Sequence, residues 1–133
     1  MADNPTFADV VAGVGAAIAA YTHALDDGRT DDVVANFCPD GVVDMPGLGR
    51  HVGHYALRAA YEMIAPKQPQ RHLVSSIHVT QWDQHEASAT SDVVLLVKDE
   101  TRWTVAVVGR YDDVLHRDGE RWLFHSRTAQ FTF

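Results

Sequence analysis

Asp26 stands where a helix should disfavour it. The run Tyr21-Thr22-His23-Ala24-Leu25-Asp26-Asp27-Gly28 reads as the last turn of a helix closed by Gly28. The end of a helix carries a partial negative charge and favours Lys, Arg or His. Two carboxylates there cost stability, and local conflicts of this kind mark functional positions. An aspartate held at a helix C-terminus should bind its proton more tightly than usual, which suits a base-orienting or proton-sharing role. The competing reading makes Asp26 and Asp27 solvated turn residues. His72 is the candidate partner of Asp26. In a His–Asp pair the imidazole, with an unperturbed pKa of about 6.5, acts as base near working pH. The carboxylate fixes its tautomer and stabilises the imidazolium that forms. Such a pair can remove the proton beside a leaving group and so eliminate water or halide.

Other chemistries find less support. The chain has eight histidines, but His78, His85, His116 and His125 read as scattered over the sheet, and His51 and His54 as an isolated pair. His72 and His78 lie on one strand about 20 Å apart, too far for one ion. No His-x-x-x-His pair with an acidic partner occurs, so no metal is expected. Neither Gly-x-Gly-x-x-Gly, a phosphate loop nor Gly-x-Ser-x-Gly is present, which leaves nucleotide cofactors and serine hydrolysis without support. No cofactor is therefore expected. Lys and Arg number 11 against 18 Asp and Glu, a formal charge of −7. With no basic cluster, neither nucleic acid nor an anionic membrane is expected as a partner. Cys38, the single cysteine, cannot form an internal disulfide and reads as a buried structural thiol at the end of a short helix. The apolar stretch Val10 to Ala20 is too short to span a bilayer. No Lys or Arg precedes it and no cleavage-like site follows it, so it is not a secretion signal and a cytoplasmic location is expected.

The 133 residues, 46% hydrophobic and 22% charged, suit one soluble domain with a real core. From about Thr6 to Asp26 the apolar positions Val10, Val14, Ala17, Ile18, Tyr21 and Leu25 recur at helical spacing. Thr30 looks like the cap of a second short helix that turns Val33, Val34 and Phe37 inward and stops at Pro39-Asp40-Gly41. A short strand over 42–45, a Gly/Pro-rich loop over 46–53 and a third helix over 54–64 follow. Beyond Pro66 and Pro69 come four segments rich in β-branched and aromatic residues, at 71–82, 87–98, 102–116 and 121–131, joined by short polar turns. They predict an antiparallel meander, hence an α+β plan. Alternation in the first puts His72, Val74, Ser76, His78 and Trp82 on one face. Val, Leu and Trp on the outer sheet face suggest a homo-oligomer, a dimer or trimer.

The order of these signals carries a resemblance. Tyr21, Leu25, Asp26, Gly28, Asp31 and Phe37 precede Pro39-Asp40-Gly41, then come Gly53, Arg71-His72, Gly109-Arg110-Tyr111-Asp112-Asp113, Arg117-Asp118-Gly119, Trp122 and Arg127. Over nearly the whole chain this resembles the SnoaL-like branch of the nuclear transport factor 2-like superfamily. The resemblance implies one domain over 1–133 with the cystatin-like α+β cone, in which three N-terminal helices pack in a curved mixed or antiparallel sheet enclosing an apolar pocket. It relates the chain to scytalone dehydratase, bile acid 7α-dehydratase, hexachlorocyclohexane dehydrochlorinase and ketosteroid isomerase. It assigns His72 as base, Asp26 as its orienter and Tyr21 as electrophilic donor, with Tyr111, Arg127, Met45, Phe37 and Val74 at the pocket. Five helical residues amount to about 140° of rotation, so Tyr21 and Asp26 can share one pocket only if the helix unwinds near Leu25. The implied activity is a cofactor-independent lyase or dehydratase acting on a hydrophobic cyclic molecule, steroid- or polyketide-like. A non-catalytic binding or scaffold protein of the same fold is the second reading, and a subunit of a ring-hydroxylating dioxygenase the third. A ketosteroid-isomerase-like reaction fits less well. Tyr21 and Asp112 would match its oxyanion groups, but its general base falls on Met45, with Asp44 one residue out of register. Arg127 also has a structural reading, as a buried ion pair with Asp112 or Asp113.

Overall fold

Thr6 opens the first helix with a reciprocal cap. Its Oγ1 accepts from the Asp9 N–H at 3.1 Å, and Asp9 Oδ2 accepts from the Thr6 N–H at 2.9 Å. In the computed structural model, which describes residues 4–132, this helix α1 spans Phe7–Asp26 and buries all six residues of the apolar stripe, with Thr22 and Ala24 widening it. It stays helical through Asp26 and is capped by Asp27, followed by Gly28 at φ 73°. The expected unwinding therefore does not occur. At 20 residues with a mean hydropathy of 1.3, α1 is long and apolar enough to cross a membrane by length and composition alone. The expectation of too short a segment concerned Val10 to Ala20 alone, and the buried stripe of the whole helix packs here against the sheet.

The next elements shift by small but consequential steps. Helix α2 spans Thr30–Ala35, with Arg29 rather than Thr30 at its cap and no side chain closing it. Phe37 is not on that helix. It opens strand β1, Phe37–Met45, which runs straight through the expected turn at Pro39-Asp40-Gly41. The reason is a bulge. Phe37 pairs with Phe124 but Val42 with Ser126, so five steps on β1 face two on its partner. Pro39 has no N–H to pair, and a Cβ at Gly41 would lie 2.9 Å from the Cys38 carbonyl oxygen and 3.0 Å from that of Phe124. Proline and glycine here shape a bulge instead of ending a strand. The segment read as a loop holds a further strand, β2 (Gly49–Val52), hairpinned onto β1. Helix α3 spans Gly53–Met63.

Strands β3 (Gln70–Trp82), β4 (Glu86–Lys98), β5 (Trp103–Asp118) and β6 (Arg121–Thr132) form the expected antiparallel meander. Strand β1 docks on β6 in parallel, giving one mixed sheet in the order β2-β1-β6-β5-β4-β3. The α+β plan is as the sequence predicts. Simple alternation along β3 is not. Its pairing with β4 slips between Ser75 and His78 and again between Val79 and Gln81, with Ser76 at φ 53°. His72 and Val74 are half-buried, but past the slip Val79 turns inward while Ser76 and His78 are exposed. A bulge exchanges the faces of a strand, which removes His78 from the face of His72.

Candidate active site

The end of α1, the start of β3 and the middle of β4 and β5 enclose a cavity of about 320 Å³. Cross-strand register builds its wall. His72 pairs with Leu95 and Leu95 with Val107, while Val93, Gly109 and Phe131 form a parallel row; the side chains of both rows, Gly109 apart, reach the cavity. Gly109 matters because a Cβ there would lie 2.7 Å from Phe131 Cδ1. Its bare Cα lets that ring lie across the sheet. Met45, Leu48 and Ile64 close the opposite side. Residues with a polar group are few in the lining: Gln70, His72, Tyr21 and Tyr111.

Asp26 and His72 are in contact. His72 Nδ1 lies 2.6 Å from Asp26 Oδ1, the His72 backbone N–H donates to Oδ2 at 2.7 Å, and Gln70 Nε2 donates to Oδ1 at 3.1 Å. Both side chains are largely covered, 11% exposed for His72 and 5% for Asp26. Asp26 does not itself line the cavity. It sits to the side of the Tyr21–Leu25 face, and His72 bridges from it to the interior, so no unwinding is needed. The proton affinity expected of this carboxyl is also reversed. Burial raises its pKa, but the hydrogen bonds from the His72 ring and backbone, with Gln70, outweigh burial and hold it below its ordinary value. An ionised Asp26 accepts the hydrogen bond from Nδ1–H and leaves Nε2 of this cavity-lining ring without a partner among the described residues.

Tyr21 lines the cavity beside this pair, and its hydroxyl lies 2.7 Å from that of Tyr61. Burial raises the Tyr21 pKa well above its ordinary value and raises that of Tyr61. Both phenols stay protonated and serve as hydrogen-bond donors. Tyr111 and Met45 line the cavity as the resemblance implies, whereas Phe37, Val74 and Arg127 do not. Phe37 packs deeper, edge-on to Tyr21 with ring centroids 6.2 Å apart. Val74 is half-buried against the core. Arg127 lies beneath the tyrosines, its Cζ 3.6 Å from the Tyr111 ring centre and 4.3 Å from that of Tyr21. It pairs with Asp113 (Nε to Oδ1 2.9 Å, Nη2 to Oδ2 3.3 Å), directly opposite on β5. Of the two aspartates weighed as its partner, Asp113 is the one. Burial favours neutral forms of both groups, but Asp113 and the two tyrosines keep the guanidinium charged. Asp44 and Asp112 are exposed, outside the cavity lining.

Sequence reasoning missed Tyr61 and Gln70. Tyr61 lies in a third helix with no local signal, and Gln70 falls one residue before the strand that the sequence predicts. It also misjudged the histidines: His116 and His125 are not scattered but stacked, with centroids 4.2 Å apart.

A family model for the SnoaL-like domain matches residues 8–128. This chain belongs to the SnoaL-like family. Its fold recurs in a candidate scytalone dehydratase from Novosphingobium aromaticivorans (TM-score 0.81, 21% identity, 92% of this chain and 84% of that one). It recurs in ActVI-ORFA from Streptomyces coelicolor (0.81, 21%, 92% and 96%). A protein from Catenulispora acidiphila, solved in complex with S-DNPA, is similar at TM-score 0.83 and 25% identity over 93% of this chain and 94% of that one. No curated protein matches the sequence.

Proposed function

We propose that this SnoaL-like protein is a cofactor-independent lyase that dehydrates a hydrophobic cyclic small molecule, with His72 as base. The observation that carries this reading is the 2.6 Å contact between His72 Nδ1 and Asp26 Oδ1 at the wall of an apolar cavity. A cavity of about 320 Å³ suits a small ring system, and the S-DNPA complex of the Catenulispora relative supports small-molecule binding in this fold. In the proposed reaction Nε2 of His72 takes the proton beside a carbonyl, and Asp26 stabilises the imidazolium. The C–H electrons become the new double bond as the neighbouring C–O bond breaks, and the imidazolium returns its proton to the departing hydroxyl, releasing water. With Tyr61 donating to Tyr21, the Tyr21 proton is free for the carbonyl oxygen as negative charge develops there. A ketosteroid-isomerase-like reaction has less support, because Asp44 and Asp112 are both exposed outside the cavity lining.

A test needs no knowledge of the true substrate. Cyclic ketones that bind the cavity, incubated in deuterated water, should exchange their α-protons with wild type and not with His72→Ala. Equal exchange in the two proteins sinks His72 as base. Binding without exchange in either protein would favour the non-catalytic reading.

A further inference from the structure

Three donors far from the cavity come together by way of two irregularities. Cys38 sits in the bulge of β1, where five steps face two. His125 is the extra residue on β6 where pairing slips between Val114–Ser126 and Leu115–Phe124. His116, on β5, pairs across the sheet with Glu86 and is five residues, about 17 Å, along the strand from the cavity-lining Tyr111. Bulges re-aim side chains, and here they bring one ligand atom each from Cys38, His116 and His125 within 4.8 Å of one another.

We propose that these three residues bind a thiophilic divalent cation of the Zn²⁺ class. The donor set, one thiolate and two imidazoles, is what such ions take, with a fourth position left for water. The two histidines are equipped differently. His116 Nε2 lies 2.9 Å from Glu86 Oε2, the carboxylate–imidazole contact that orients metal-bound histidines and fixes Nδ1 as the ligating nitrogen. His125 Nδ1 is buried and has no hydrogen-bond partner, an unfilled acceptor in a stacked pair whose rings lie 10° from parallel. Cys38 Sγ makes only a long 3.8 Å contact to the Leu123 carbonyl. Burial, with Asp40 and Asp118, raises the thiol pKa. Those same carboxylates supply a negative field that a cation reverses, displacing the thiol proton. Metal–nitrogen bonds of about 2.0–2.1 Å and a metal–sulfur bond of about 2.3 Å require the donors to close by roughly 1 Å, so the stacked rings splay on binding.

The experiment is titration of the full-length protein with Co²⁺, read in the near-ultraviolet and visible spectrum, followed by displacement with Zn²⁺. One equivalent of Co²⁺ should produce a cysteinate-to-metal charge-transfer band with tetrahedral visible bands, and Zn²⁺ should abolish both. His125→Ala should weaken cobalt affinity at least tenfold, and Cys38→Ser should remove the charge-transfer band. His78→Ala, at an exposed position on another strand, should change nothing. No charge-transfer band in folded wild type at millimolar Co²⁺ overturns the proposal, and so does a band that persists in Cys38→Ser. Because the wild-type titration decides the matter alone, poor folding of a variant does not rescue it. The outcome is also independent of whether His72 is catalytic.

Discussion

Asp26 accepts three hydrogen bonds in a site that is nearly closed to water, and that count decides how it should respond to substitution. Asn at this position keeps one acceptor oxygen and turns a donor toward the His72 ring or backbone, so at least one N–H is left facing another. Hydrogen bonds to a charged acceptor contribute about 1.5–3 kcal/mol, and Asp26→Asn should cost about that much, read as a lower urea midpoint at neutral pH. The pH dependence gives the sign. The Asp26 pKa is below its ordinary 3.8 in the folded protein, so its stabilisation is fully present above that value and is lost as pH falls through the folded pKa. The stability difference between wild type and Asp26→Asn should therefore be constant above about pH 4 and shrink as pH falls below it; a difference that does not change with pH would mean that the carboxylate is not held as described. Turnover should fall by about 10²–10⁴-fold in the same variant, since the imidazole loses its tautomer control and its countercharge.

Helix α1 carries both Tyr21 and Asp26, so the way it seats on the sheet sets the site. Two glycines two residues apart, on opposite sides of the helix, test that seating in opposite directions. A Cβ at Gly13 would lie 2.2 Å from Cδ1 of the buried Trp122, whereas one at Gly15 meets nothing within 4 Å. Alanine in a helix is favoured over glycine by about 1 kcal/mol. Gly15→Ala should accordingly raise Tm, and Gly13→Ala should lower it, because overpacking against a buried ring costs about 1–3 kcal/mol. Thermal unfolding of the two variants checks this, and a stabilised Gly13→Ala would show that α1 does not rest on Trp122. The same contrast explains what the sequence could reveal. The stripe of α1 and the four long strands were readable because helical and alternating periodicities repeat over ten or more residues. Strand β2 was not, because Gly49 and its neighbours give a turn composition and its four residues are held by pairing with β1. Phe37 was misplaced because Pro39 and Gly41 spell a turn locally while the partner strand β6 makes them a bulge. At the site, Asp26, His72 and Tyr21 stood out through a family pattern. Tyr61 and Gln70 depend on contacts across 40 and 44 residues of chain, and no local signal encodes those.

At the scale of the whole molecule, the centre of the core is not apolar. Arg127 is fully buried, bridges β5 and β6 through Asp113, and lies against Tyr21, Tyr111 and Phe124, with its Cζ 4.6 Å from the last ring centre. Its Nη1 has no hydrogen-bond partner among the described residues, so the ion pair is held without full satisfaction. Such pairs seldom add net stability over a well-packed apolar substitute, but losing one partner strands the other charge. Arg127→Met should therefore cost about 3–5 kcal/mol, with Asp113 left buried and unpaired on β5. Adding Asp113→Leu to it should recover most of that loss, since Met and Leu fill much of the space without a charge to solvate. Urea unfolding of the single and double variants gives the coupling. If the double variant is as unstable as the single, the guanidinium supports the core through its contacts with the rings rather than through its charge pair. If it recovers stability but loses turnover, the cation beneath Tyr21 and Tyr111 is there to set the electrostatics of the two tyrosines that line the cavity.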